Sequence, residues 1–154
     1  VKYIKNKYKL LIGEVTAEQI KIKIGTVLEE SKHKTMKVRG RDLLTGLPKT
    51  ITVTSDEVKE AIKESVYMII HTTKVVLEKI EPEISADIMD KGILMTGGGS
   101  LLYGLDKLIE SETGVTVNVA ENSIEAVAEG TGAVLAYIDK LDKVVNDQEI
   151  VLVE

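Results

Sequence analysis

The chain has 154 residues, a net charge of −5, and 44% hydrophobic and 29% charged residues. A compact fold of that length buries roughly 70% of its unfolded surface, so a real core is expected in one domain or two small subdomains, and wholesale disorder is excluded. The negative charge gives no support to a nucleic-acid binder, which needs concentrated positive surface to displace phosphate counterions. The absence of cysteine excludes disulfides and thiolate metal sites and agrees with a reducing cytoplasm. Phe and Trp are also absent, so Ile, Leu, Val, Met and Ala must build the core. No apolar run approaches the ~20 residues that span a bilayer, and the opening segment is not a signal peptide.

In chain order, Val1, Ile4, Tyr8 and Leu11 recur at helical spacing from the first residue, with no cap ahead of them. This reads as a cut inside a helix, although a processed or frayed terminus gives the same pattern. The IGEVT turn leads to a predicted helix from Ala17 to Ile24, with Thr16 as its cap and Gln19 reaching back. Ile20 and Ile24 would face a core, Glu18 and Lys21 would share a neighbouring face, and Gly25 would end the helix. Strands follow at Lys34 to Arg39 and Lys49 to Thr54, joined by the loop GRDLLTGLP. Thr54 and Glu57 form a capping box opening a long helix, whose apolar stripe includes Val58, Ile62, Val66 and Ile69 and which Pro82 stops.

The second half reads as a brief polar helix from Glu83 to Met89 and a strand from Gly92 to Thr96. After the run Gly97-Gly98-Gly99-Ser100 come a helix from Leu101 to Thr113, stopped by Gly114, and a strand from Val115 to Val119. A last helix from Ser123 to Leu141 is interrupted at Gly130-Thr131-Gly132, and the final NDQEIVLVE fits a strand or a disordered tail equally well. Helix, strand, glycine turn, helix, strand, helix is the order of an α/β layer with a parallel strand pair.

Chemistry concentrates in two places. Three consecutive glycines ahead of a helix remove every side chain where a ligand could meet the backbone, although a tight turn needing positive φ explains them as well. They match neither a Walker phosphate loop nor a dinucleotide GxGxxG. A carboxylate at Glu18 can accept hydrogen bonds from ribose hydroxyls and Lys21 can approach a base or phosphate, but a solvent-facing ion pair fits the pair on its own better. His33 and His71 lack zinc spacing and read as surface or half-buried residues; Asp87 and Asp90 fit a solvated turn. The Arg39-Gly40-Arg41-Asp42 stretch fits a contact surface or a charged hairpin tip. No catalytic triad or metal set can be assembled.

The succession LLIGEVTAEQIKIKIG, VRGRDLLTGLPKTITVT, EPEISADIMDKGILMTGGGSLLYGLDKLI and VAENSIEAVAEGTGAVLAYI resembles the second half of the bacterial actins of the MreB family, from about Val1 to Leu141. The resemblance implies an α/β, actin-like ATPase fold with a ribonuclease H-like motif: a larger α/β subdomain from residues 1–16 and 56–141, a small inserted α+β subdomain over 17–55, and a tail over 142–154. It implies that Glu18, Gln19, Ile20 and Lys21 form the nucleoside-contacting helix and Gly97, Gly98, Gly99 and Ser100 the facing glycine turn. ATP would be the ligand, with magnesium expected only alongside a missing N-terminal half that holds the phosphate hairpins and the membrane-inserting elements. This chain alone would then not hydrolyse ATP. Implied partners are further copies in filaments, cell-wall synthesis and morphogenesis proteins and, through the missing half, the cytoplasmic face of the membrane, with no nucleic acid. The alternative is a stand-alone, non-catalytic module that regulates filaments of a full-length relative. The sugar-kinase and chaperone branches of the superfold match TAEQIK and RGRDLLTGLPK less specifically.

Overall fold

The computed structural model describes residues 1–29 and 34–137. His33 and the 142–154 tail lie outside the described residues, as does the expected end of the last helix beyond residue 137. The chain opens with α1 (Lys2–Tyr8), which stops where Lys9 turns into the left-handed region at φ 52°. Leu11 therefore does not continue the helix: Leu10 and Leu11 form β1, paired antiparallel with Asp42 and Arg41, and Leu10 is fully buried. Helical spacing at the terminus was broken by tertiary pairing.

Helix α2 (Glu14–Ile24) begins a turn earlier than expected, at an extended Gly13 without a side-chain cap, so Thr16 lies inside it. Strands β2 (Thr35–Asp42) and β3 (Pro48–Thr54) form the expected hairpin, and the sheet order is β1-β2-β3. The capping box at the head of α3 (Ser55–Lys79) is present on both sides: the Thr54 hydroxyl accepts the Glu57 N–H at 3.3 Å, and the Thr54 N–H donates to the Glu57 carboxylate at 2.9 Å. Pro82 stands in the first turn of α4 (Pro82–Lys91), where its missing N–H costs nothing.

Strands β4 (Ile93–Met95) and β5 (Val117–Val119) pair in parallel, as the element order required. Between them the chain makes a 3₁₀ turn (Gly98–Leu101), and only then α5 (Leu105–Thr113); Gly104 at φ 82° separates the two where one helix was expected. Helix α6 (Ala126–Leu135) runs unbroken through Gly130-Thr131-Gly132, so those glycines do not interrupt it.

Two apolar cores result. One joins Ile4, Leu10, Ile20, Val38, Val53 and Val58, and so draws on residues from both sides of Ala17. The other joins Val27, Val66, Leu105, Ile109 and Val117. Helix α3 runs through both, with Ile62 packed against each.

Candidate nucleotide site

The glycine run is a built turn. Gly97 sits at φ 79° and its N–H donates to the Ser123 carbonyl at 2.6 Å. The buried Ser100 hydroxyl donates to the Gly97 carbonyl at 2.6 Å, and the Ser100 N–H donates to the same oxygen at 3.1 Å. Backbone geometry thus demands glycine at 97, and Ser100 closes the turn. Gly98 and Gly99 differ: neither has positive φ, both are exposed, and an added Cβ would meet no atom within 4 Å at either. Nothing among the described residues requires glycine there. A bare backbone facing open space is what close approach of a ligand uses.

Helix α2 is fixed by its other face. Ile20 and Ile24 are each 5% exposed and sit in the first core, which leaves Glu18, Gln19 and Lys21 on the solvent side. Ile20 therefore orients the helix from within. No ion pair joins Glu18 to Lys21 among the described residues, although solvent-facing pairing was the reading that suited them alone. Gly25 ends the helix in extended conformation; its role is space, because a Cβ there would collide with the Lys21 carbonyl and lie 3.1 Å from the Leu102 side chain. Thr26 bridges Tyr103 in parallel, the Val27 N–H donates to the Tyr103 carbonyl at 3.1 Å, and a Cβ on Gly104 would strike Leu28. The stretch one turn beyond Lys21 is thereby locked to the stretch just beyond Ser100. The stretches that follow the two expected site segments meet at one junction, which spacing alone did not reveal.

Glu18 and Lys21 also border a pocket of about 410 Å³ between α1, α2 and α3, whose lining includes Tyr3 and Glu57; the glycine turn is not part of that lining. Glu57 is the electrostatic node of this face. Lys7 lies 2.7 Å from its carboxylate and the Tyr8 hydroxyl donates to it. Partial burial pushes the Glu57 carboxyl up, but the hydrogen bonds from Lys7, Tyr8 and the Thr54 N–H outweigh it and hold the group at about 2. The same contact raises the Lys7 ammonium and the Tyr8 phenol. A carboxylate held this firmly charged is a structural tie, not a proton acceptor. The capping box was legible in sequence; nothing in the spacing told that Lys7 and Tyr8 would reach it.

The remaining candidates stand apart. His71 is exposed and stacks on Tyr67 with ring centres 6.1 Å apart. Asp87 and Asp90 are exposed, Asp87 lies 3.7 Å from Lys91, and among the described residues no group of three or more His, Cys, Asp or Glu is placed to hold a metal ion. Arg39 and Arg41 are exposed, whereas Asp42 is buried and shapes the hairpin turn: it accepts the Leu44 N–H at 2.8 Å and lies 3.1 Å from Lys49, and both contacts lower its carboxyl.

The sequence profile of the MreB/Mbl protein family matches residues 1–143. The chain belongs to the MreB/Mbl family. Relatives in it include the cell shape-determining protein Mbl of Bacillus subtilis, 56% identical over 92% of this chain and 42% of that protein. Another is the cell shape-determining protein MreB of Escherichia coli, 42% identical over 90% and 40%. The MreB/Mbl chain therefore spans about two fifths of the length of the curated relatives it matches. Among solved structures, MreB5 of Spiroplasma citri bound to ADP superposes with a TM-score of 0.85 at 32% identity, over 92% of this chain and 43% of that one, and the same protein has been solved with AMPPNP. A MamK double helical filament superposes at 0.62 with 18% identity over 82% of this chain, which shows the shared fold. The mixed α/β arrangement is thus a portion of the actin-like fold. No helix among the described residues is long and apolar enough to cross a membrane.

Proposed function

We propose that this chain is the nucleoside-holding portion of an ATP-binding cytoskeletal protein whose filaments organise cell-wall synthesis and so set cell shape. Glu18 and Lys21 grip the nucleoside from α2, Gln19 lies beside them, and the backbone at Gly98 and Gly99 receives the ligand across the junction, with Gly97 and Ser100 building the turn. The observation that carries this reading is the pair Gly98 and Gly99, bare and open where no internal constraint calls for glycine. The ADP and AMPPNP held by a structural relative support the ligand class. In the same reading the fold is a ribonuclease H-like layer, residues 17–55 form its insertion, and the whole protein works with magnesium in cytoplasmic filaments, at the membrane and with wall-synthesis partners.

Calorimetric titration of ATP with magnesium into a family-length protein containing this segment tests the proposal. Micromolar binding is expected, weakened at least about tenfold, or 1.4 kcal/mol, by Gly99→Val or by Glu18→Ala with Lys21→Ala. The thermal midpoint of Gly99→Val should stay near that of the parent, because the added side chain meets nothing. The 154-residue chain alone is expected to bind weakly or not at all; micromolar binding with turnover by it, or unaltered affinity of Gly99→Val, overturns the reading.

A further inference from the structure

One side chain ties the start of β2 to the segment ahead of α5. The Lys34 ammonium lies 5.0 Å from the centre of the Tyr103 ring. Both residues are at the surface, Tyr103 56% exposed, so the attraction of the cation for the ring face is of the weak, reversible kind with which water competes. What the contact joins is firmer. Lys34 is pinned through its backbone to the head of α3: its N–H donates to the Ser55 hydroxyl at 3.2 Å, and its carbonyl accepts the Ser55 N–H at 2.9 Å. Ser55 is 1% exposed, so the backbone beneath the ammonium is held at the edge of the first core while the long side chain spans to the ring.

The Tyr103 backbone lies on a relay of hydrogen bonds that runs from α2 to the glycine turn. On the α2 side the Gly25 N–H donates to the Lys21 carbonyl at 2.9 Å, and the next residue, Thr26, is 2% exposed, its hydroxyl accepting the Leu28 N–H at 3.1 Å. Thr26 then bridges Tyr103, and the Val27 N–H donates to the Tyr103 carbonyl at 3.1 Å. On the far side the Leu102 N–H donates to the Gly99 carbonyl at 3.1 Å. A shift of Tyr103 is therefore passed to the glycine turn through its neighbour Leu102, because coupling follows contiguous bonded contacts. The Thr26–Tyr103 bridge is isolated, outside any strand, so no ladder on either side braces it. The Lys34 ammonium supplies a brace from a third element.

We infer that Lys34 and Tyr103 form a latch that holds the isolated bridge shut and so sets the spacing between Glu18 and Lys21 on α2 and the bare backbone at Gly98 and Gly99. Tyr103 is then a positioning residue. The inference rests on the reading of that region as a nucleoside site and adds to it a control on release: with the ammonium on the ring the site stays closed, and with the ammonium turned away the bridge opens and the ligand leaves. Exchange of the Val27 amide hydrogen in the 154-residue chain reads the bridge without any nucleotide, since that N–H donates to the Tyr103 carbonyl. Lys34→Gln and Tyr103→Leu are each expected to speed it about two- to fivefold, the scale of an exposed cation–ring contact. The double variant should go no further than the faster single one, because both changes remove the same interaction. Lys34→Arg and Tyr103→Phe, which keep a cation and an aromatic face, should keep the slow exchange. In a family-length protein containing this segment, release of a fluorescent ATP analogue with magnesium, followed by stopped flow, should accelerate about two- to fivefold in Lys34→Gln and Tyr103→Leu. The two conservative variants should not show it, a split that general loss of packing does not produce. Val27 exchange unmoved by Lys34→Gln, or moved additively by the two changes, overturns the latch whatever the nucleotide does. Faster Val27 exchange with unaltered release overturns its link to the site and leaves the nucleoside reading standing. A parent protein that does not bind ATP removes that reading and the control on release with it, while the exchange result still decides whether the latch exists.

Discussion

Glu57 serves three purposes with one carboxylate: it completes the cap of α3, it anchors α1 through Lys7 and Tyr8, and it stays ionised while doing so. Its ordinary value is 4.5 and its folded value about 2. Since the folded value is the lower one, the preference of the fold for ionised Glu57 is complete above the ordinary value and is lost as pH falls toward the folded one. Glu57→Gln isolates this effect, because a glutamine at that position still closes a capping box. At neutral pH the variant should lose no more than about 1 kcal/mol, the usual scale of a partly exposed ion pair. The fall of its thermal midpoint between about pH 5 and pH 2 should be shallower than that of the parent. Melting curves across that range check it, and parallel slopes for the two proteins refute the assignment.

At the level of elements, α6 is the outlier. None of its residues is buried, Val127, Val134 and Leu135 are exposed, and Gly130 and Gly132 stand inside it with open space around an added Cβ and no positive φ. Glycine inside a helix costs about 1 kcal/mol relative to alanine, so Gly132→Ala should raise the helical circular dichroism of this chain and slow amide exchange along α6. Unchanged exchange rates would show that some other constraint governs the segment. The same helix shows where sequence reading stops. Gly-Thr-Gly suggested a break, yet two glycines weaken a helix without forbidding it. The hairpin, the capping box and the parallel pair were legible because each rests on local patterning: alternation, a Thr-x-x-Glu spacing, and the order of elements. β1 was not, because two leucines become a strand only when Asp42 and Arg41 arrive beside them from elsewhere in the chain. The candidate site was half legible for the same reason. Three glycines and a Glu/Lys face were visible locally, but the contact between the stretches that follow them depends on the Thr26–Tyr103 bridge, and the inward turn of Ser100 on a hydrogen bond to Gly97.

Across the molecule, two cores share one long helix. Val58 belongs to the first, Val66 to the second, and Ile62, midway between them on the helix, packs on both; the bridge between Thr26 and Tyr103 is a second tie between the α2 end and the segment before α5. In the proposed function the nucleoside site lies beside that second tie, so coupling through α3 would bear on binding as well as on stability. Truncating Ile62 removes contacts from both cores at once while leaving each its own buried centre, Leu10 with Val38 and Val53 on one side and Leu105 with Ile109 on the other. Ile62→Ala should cost roughly 2–4 kcal/mol, as partly collapsible isoleucine truncations do. It should also lower the denaturant slope, because the two halves cease to unfold as one unit. Amide exchange of Val38, paired with Ile51, and of Ile93, whose N–H donates to the Thr116 carbonyl at 2.8 Å, reports the two cores separately. In the parent they should open with one shared free energy and in the variant with two, since cooperative units are bounded by the contacts that join them. A variant in which both amides still open together would place the coupling in the Thr26–Tyr103 bridge, beside the proposed site.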